Sequence, residues 1–176
     1  MKKQIPIIKT LKPLDDGTCE VNLAASSIKD LTVLRGTPIS ILRLGGTSLS
    51  ELSPLRGMAL KKLYLQNTMV TDLSPLNGMR LESLNLSGTK VTDLSVLRGL
   101  PLLSLRLHDC PNIVDLSPLK SCTTLEKLSL PMQAKDFEFL RTFPKLELLS
   151  FTEDLRALVP DRIAARFWEE YDARQQ

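Results

Sequence analysis

Apolar residues recur along this chain in one motif, L-x-x-L-x-L, at a nearly fixed interval. It stands at Leu60-x-x-Leu63-x-Leu65, Leu81-x-x-Leu84-x-Leu86 and Leu102-x-x-Leu105-x-Leu107. Upstream it continues as Ile39-x-x-Leu42-x-Leu44 and, more loosely, Thr18-x-x-Val21-x-Leu23. Downstream it continues as Leu125-x-x-Leu128-x-Leu130 and Leu146-x-x-Leu149-x-Phe151. The starts fall at 18, 39, 60, 81, 102, 125 and 146, so five intervals are 21 residues and one is 23. Self-similarity at such a period marks a stacked repeat architecture. Within each motif the alternation predicts a short strand: Leu63 and Leu65 face inward and Tyr64 outward. Stacking the units pairs these strands in parallel.

The second half of each unit is more polar and carries turn signals. Ser53-Pro54, Ser74-Pro75 and Ser117-Pro118 offer an N-cap oxygen followed by a residue whose φ already suits a helix. Gly36, Gly57, Gly78 and Gly99 follow one turn later, where a left-handed residue ends a helix. A unit this short has room for one turn on its outer side, predicted as 3₁₀. The long interval comes from one extra residue before Ile113 and a second near Ser121-Cys122-Thr123, both read as loop insertions that spare the core register.

Val70-Thr71-Asp72-Leu73-Ser74-Pro75-Leu76-Asn77-Gly78-Met79 is echoed by Val91-Thr92-Asp93-Leu94-Ser95-Val96-Leu97-Arg98-Gly99-Leu100. This style, D-L-S-P-L-x-G-M, resembles the leucine-rich repeat family in its short bacterial form, over roughly residues 18 to 152. It is similar to repeat tracts in bacterial proteins, some of which carry serine/threonine kinase domains, although no kinase motif is present here. The resemblance implies an α/β fold. Its form is a right-handed leucine-rich repeat solenoid, or horseshoe, with parallel strands on the concave face and short 3₁₀ turns on the convex face. Family members place Asn three residues after the second strand leucine. This chain has Ser26, Thr47, Thr68, Thr89 and Cys110 there, which have fewer donors than an amide. A full asparagine ladder is therefore not expected.

A solenoid exposes apolar surface at each end unless it is capped. Residues 1–17, with Ile5, Ile7, Ile8, Leu11 and Leu14 before a turn at Asp15-Asp16-Gly17, are expected to form an incomplete first unit acting as the N-terminal cap. Residues 18–152 are the repeats, and 153–176 the C-terminal capping region. There a helix from Arg162 to Arg174, N-capped by Asp161, would set Ile163, Phe167 and Tyr171 on one stripe beside Ala164 and Trp168. That stripe reads as a cap over the last repeat; the alternative is a docking helix for another protein.

Composition sharpens this picture. Leucine accounts for 36 of the 176 residues, while aromatics number only eight. At 43% hydrophobic and 24% charged the chain is ordinary for a globular protein. No apolar run reaches a membrane span, and the start lacks the apolar stretch of a signal peptide. Cys19, Cys110 and Cys122 form no disulfide framework, so a reducing, cytoplasmic setting is the expectation. A net charge of +3 is too mild to imply nucleic acid.

Candidate chemistry is sparse. His108 and Cys110 invite a nucleophile or metal reading, but Cys110 occupies an inward position and His108 an outward one. One His and three scattered Cys supply no zinc set. The phosphate-binding and serine-hydrolase glycine motifs are absent. The row Asp30, Glu51, Asp72, Asp93 and Asp115 looks like a metal ladder, yet helix-start electrostatics accounts for it. Catalytic, metal and cofactor sites are therefore all expected to be none. What remains is the concave face, where Arg43, Lys62, Tyr64, Gln66, Asn85, Arg106, His108 and Lys127 share one surface. Arg and Tyr are favoured at interface hot spots, and a basic patch steers acidic partners. The expectation is a non-catalytic, monomeric module binding a protein, with an acidic surface on that partner. The alternative is a regulatory or scaffolding appendage of a larger bacterial signalling protein such as a serine/threonine kinase.

Overall fold

The computed structural model describes residues 9–154 and 159–175. The part of the expected N-terminal cap that falls on residues 1–8 lies outside the described residues.

Each repeat motif becomes one short strand. These are β2 (Cys19–Asn22), β3 (Ile39–Arg43), β4 (Lys62–Tyr64) and β5 (Ser83–Asn85), followed by β6 (Ser104–Arg106), β7 (Lys127–Ser129) and β8 (Leu148–Ser150). They form one sheet in chain order, parallel throughout. At one edge β1 (Thr10–Pro13) pairs antiparallel with β2. The register follows the 21-residue period: Leu63 lies beside Leu84, and Leu84 beside Leu105. Across the 23-residue interval Leu105 still lies beside Leu128. The extra length goes outward, where the turn Ser117–Ser121 has five residues against three in Ser74–Leu76.

The core is a set of leucine columns running through the stack. Leu42, Leu63, Leu84, Leu105, Leu128 and Leu149 form one, and Leu44, Leu65, Leu86, Leu107 and Leu130 a second, all buried. The outer side carries one 3₁₀ turn per repeat, each contributing a buried leucine such as Leu55, Leu76 or Leu97. Gly57, Gly78 and Gly99 follow these turns with φ of 76°, 73° and 72°, a region that other side chains seldom adopt.

The caps of these turns differ from the expectation. Ser74 is the first residue of its turn and Leu73 the cap, with no side-chain cap bond. The acid two residues earlier does the capping. Asp72 Oδ1 accepts the Ser74 N–H at 2.8 Å and Oδ2 accepts the Ser74 hydroxyl at 2.8 Å. Asp30, Asp93 and Asp115 repeat this arrangement, and Glu51 reproduces its backbone half. Carboxylates bind a backbone donor two residues on readily, and an ionised acceptor outcompetes a hydroxyl. The bond from the Ser N–H is the main cause holding Asp72, Asp93 and Asp115 below the usual carboxylate range. The acidic row is thus the capping element of the repeat.

The ladder position is filled by hydroxyls at three successive units. Thr47, Thr68 and Thr89 turn their hydroxyls onto the carbonyls of Leu44, Leu65 and Leu86, three residues earlier in the same unit.

The two ends are built differently. At the C-terminal end β9 (Glu153–Asp154) pairs with β10 (Val159–Pro160), and helix α1 spans Ala164–Ala173. Phe167 is buried, and Phe137, Phe151, Trp168 and Tyr171 surround it with ring centroids 5.1–6.2 Å from its own. Two details correct the sequence expectation. The helix N-cap is Ile163, without a side-chain bond, while Asp161 accepts from the Thr152 hydroxyl at 2.6 Å. Ile163 is 59% exposed, because it lies before the helix in a bridge with Leu148 and does not follow the helical stripe. At the N-terminal end β1 is exposed along its whole length. A concavity of about 890 Å³ opens there, lined by Leu11, Val21, Leu23, Ile28, Val33 and Leu34 among others.

Candidate functional site

Outward residues of the strands form the concave surface, and parallel pairing places them in rows. Asn22, Arg43 and Tyr64 are register neighbours on β2, β3 and β4, as are Tyr64, Asn85 and Arg106 on β4, β5 and β6. A second row of Glu20, Ile41, Lys62, Ser83, Ser104 and Lys127 runs beside them.

The centre of interest is a stack of three side chains. Arg43 Nε donates to Glu20 Oε1 at 2.5 Å. The Arg43 guanidinium carbon lies 4.3 Å from the centroid of the Tyr64 ring, a cation–π distance. Both charged side chains keep contact with solvent, at 38% for Arg43 and 21% for Glu20. Lys62, two residues before Tyr64 on the same face of β4, is half-buried.

The other candidate residues have different settings. Asn85 is buried, and its Oδ1 accepts the Ser87 N–H at 2.9 Å, so it holds the loop after β5. Arg106 is also buried. His108 is half-buried, with Nδ1 2.7 Å from the Ser87 hydroxyl and Nε2 3.7 Å from Asp109 Oδ2. Gln66 lays its amide over Gly45, where any β-carbon would collide with it. Its Oε1 is buried with no hydrogen-bond partner among the described residues. Lys127 is half-buried on β7. The structure thus brings Arg43, Lys62 and Tyr64 together on β3 and β4, with Gln66 in the turn that follows β4. Asn85 and Arg106 lie below the surface, and the exposed positive charge is narrower than the row of basic letters suggests.

Two features escape a reading of the row alone. Glu20 belongs to the neighbouring row, yet it is the residue that clamps Arg43. The face is also covered toward its C-terminal end. Ser129 and Ser150 point to the concave side and are fully buried. Ser150 Oγ accepts the Asp161 N–H at 3.2 Å, and β10 packs on β7 and β8. The described residues of β10 and Asp161 therefore lie across the last strands. The signal was the switch from large residues at this position to serine at 129 and 150.

The thiol chemistry weighed from sequence does not assemble. Cys110 is buried, and its Sγ donates to the Leu86 carbonyl at 3.0 Å. Burial pushes its pKa up, the reverse of what a nucleophilic cysteine requires. Cys122 is similar, donating to the Leu97 carbonyl at 3.1 Å, also with a raised pKa from burial. Among the described residues no group of three His, Cys, Asp or Glu side chains is placed to hold a metal ion. Nor is any helix among them long and apolar enough to cross a membrane.

Comparison with known proteins agrees with this geometry. A family described as Leucine Rich repeats (2 copies) matches residues 59–99. Among solved structures, internalin C2 of Listeria monocytogenes is similar at 30% identity over 70% of this chain, with a TM-score of 0.60. A second internalin of that bacterium is 22% identical over 70% of this chain, with a TM-score of 0.55, a likeness of fold alone. The chain spans 66% and 44% of the lengths of these two proteins. No curated protein matches the chain.

Proposed function

The chain is a leucine-rich repeat protein of the bacterial type, and from that premise we propose that it is a non-catalytic interaction module that binds a protein through its concave face. The observation that carries this reading is the Arg43–Tyr64 pair, half-exposed and held on a rigid strand array. Repeat solenoids present such extended concave surfaces to partners. The surface in question is that of β2 to β6, since β10 and Asp161 lie over the last strands. Arg43, Lys62, Tyr64 and Gln66 are its centre and His108 its margin, while Lys127 stands just beyond it on β7, at the edge of the covered strands. The module acts as a monomer, takes no cofactor and favours protein over nucleic acid. Three free thiols fit a reducing, cytoplasmic setting for it. A regulatory appendage of a larger signalling protein would use the same face.

The test compares affinity capture from the native bacterium by the wild-type chain and by Arg43→Glu with Lys62→Glu. Partners retained by the first and lost by the second are the expected outcome. Equal retention by both would remove the concave face from the function.

A further inference from the structure

Resting on the concave face as the binding surface, we propose that Arg43 is a preorganised receptor for a single carboxylate supplied by the protein partner. Glu20 and Tyr64 are its positioning residues. A guanidinium carries five donors in one plane, and a fork of two parallel donors matches the two oxygens of a carboxylate. Glu20 engages only the Nε side of Arg43. Among the described residues the two terminal amino groups of Arg43 take part in no hydrogen bond. The Tyr64 ring fixes the plane of the group from one side, at 4.3 Å. Two contacts therefore fix plane and rotation while the terminal fork stays available to solvent.

Fixing a long side chain before binding removes an ordering cost that the complex would otherwise bear. A half-exposed ion pair contributes little to folding, so stability alone does not account for the clamp. Charge selects among anions. Glu20, Arg43 and Lys62 sum to one positive charge on this part of the face, which suits a carboxylate better than a nearly dianionic phosphate. The ligand is thus an acidic side chain or chain terminus of the partner, seated end-on at the fork.

The test uses the whole chain, isotopically labelled, and a short peptide bearing two glutamates as probe. Side-chain resonances of Arg43 and ring resonances of Tyr64 are followed during titration. The expected result is a saturable shift that the glutamine isostere does not produce. Arg43→Lys, which keeps the charge and loses the fork, should weaken binding about tenfold. Glu20→Gln separates the clamp from simple electrostatics. It removes a negative charge, so an unstructured basic patch would bind the probe more tightly, whereas loss of the clamp weakens it. Tighter binding by Glu20→Gln overturns the proposal. So does full affinity in Arg43→Lys, equal binding of the isostere, stronger binding of a phosphoserine peptide, or no saturable shift. If the probe shifts β3 to β5 but ignores Arg43→Lys, the receptor fails and the concave-face reading stands. Shifts confined to the convex side would remove both.

Discussion

Among the described residues the two ends of this solenoid are built from different materials. At the C-terminal end the last leucine layer is closed by rings. Seven of the eight aromatic residues lie after residue 136, and Tyr64 is the exception. Phe137 contacts Phe151, Phe167, Trp168 and Tyr171, and Arg141 sits 4.0 Å from the Trp168 ring centroid while pairing with Asp172. At the N-terminal end the described residues offer only an exposed antiparallel strand beside an apolar concavity. The difference shows what a repeat core cannot do for itself. A leucine layer is complementary to another leucine layer, so the stack has no built-in stop. Ending it takes side chains of another shape and a helix whose outward face is charged, here through Arg166 and Glu170, with Arg162 pairing to Glu170 from just before the helix.

This contrast is open to measurement, with the largest effect at the closed end. Phe167→Ala removes the ring at the centre of the aromatic cluster and should cost roughly 3–5 kcal/mol. An unshifted urea midpoint would show that α1 does not close the stack. Leu84→Ala, in the middle of a column buried on all sides, should cost about 2–5 kcal/mol in the same assay. A negligible change there would contradict the repeat register itself. Leu34 is buried but lines the N-terminal concavity, so among the described residues it has fewer neighbours to leave a void against. Leu34→Ala should therefore fall at or below about 2 kcal/mol. A cost equal to that of Leu84→Ala would mean that the N-terminal end is as tightly packed as the centre. Native-state hydrogen exchange extends the comparison, with amides of β2 expected to open more readily than those of β7. Uniform protection along the stack would erase the contrast.

The smallest effect concerns pH. Asp16, near the N-terminal end, is lowered from 3.8 to about 2, chiefly by the Thr18 hydroxyl, then by the Thr18 N–H and Lys61. A lowered carboxyl stabilises the folded chain fully above 3.8 and loses that contribution as pH falls toward about 2. Asp72, Asp93 and Asp115 shift in the same direction, so acid should weaken the whole repeat array. Asp16→Asn should flatten only the N-terminal share of that acid limb. An unchanged limb in denaturant midpoints measured at several acid pH values would place the titration elsewhere.

Much of the fold was legible because one physical rule repeats. An apolar alternation every 21 residues places Leu63, Leu84 and Leu105 side by side without any knowledge of the three-dimensional structure. The capping role of Asp72 was harder to see. Ser74-Pro75 imitates an ordinary helix start, and only the backbone geometry shows the carboxylate reaching the Ser74 N–H first. The binding face was the least legible part. Outward letters can be sorted into rows, but Glu20 meets Arg43 diagonally across two strands, beside an irregularity in the register at Cys19 and Glu20. Likewise Ser129 and Ser150 read as open surface until β10 and Asp161 are placed over the last strands. Periodicity specifies what lies within one row; it is silent on contacts between rows and on segments outside the period.

The 23-residue unit shows where this architecture is elastic. Its two surplus residues leave Leu105 and Leu128 abreast, because they are taken up in the loop before Ile113 and in the longer turn Ser117–Ser121. Insertions and deletions in the outer arc thus leave the spacing of the inner face unchanged, while a single-residue change inside a strand would turn a leucine column inside out. Such a chain can vary in length along its outer perimeter, and be lengthened by whole units, while the order of its inner residues is preserved.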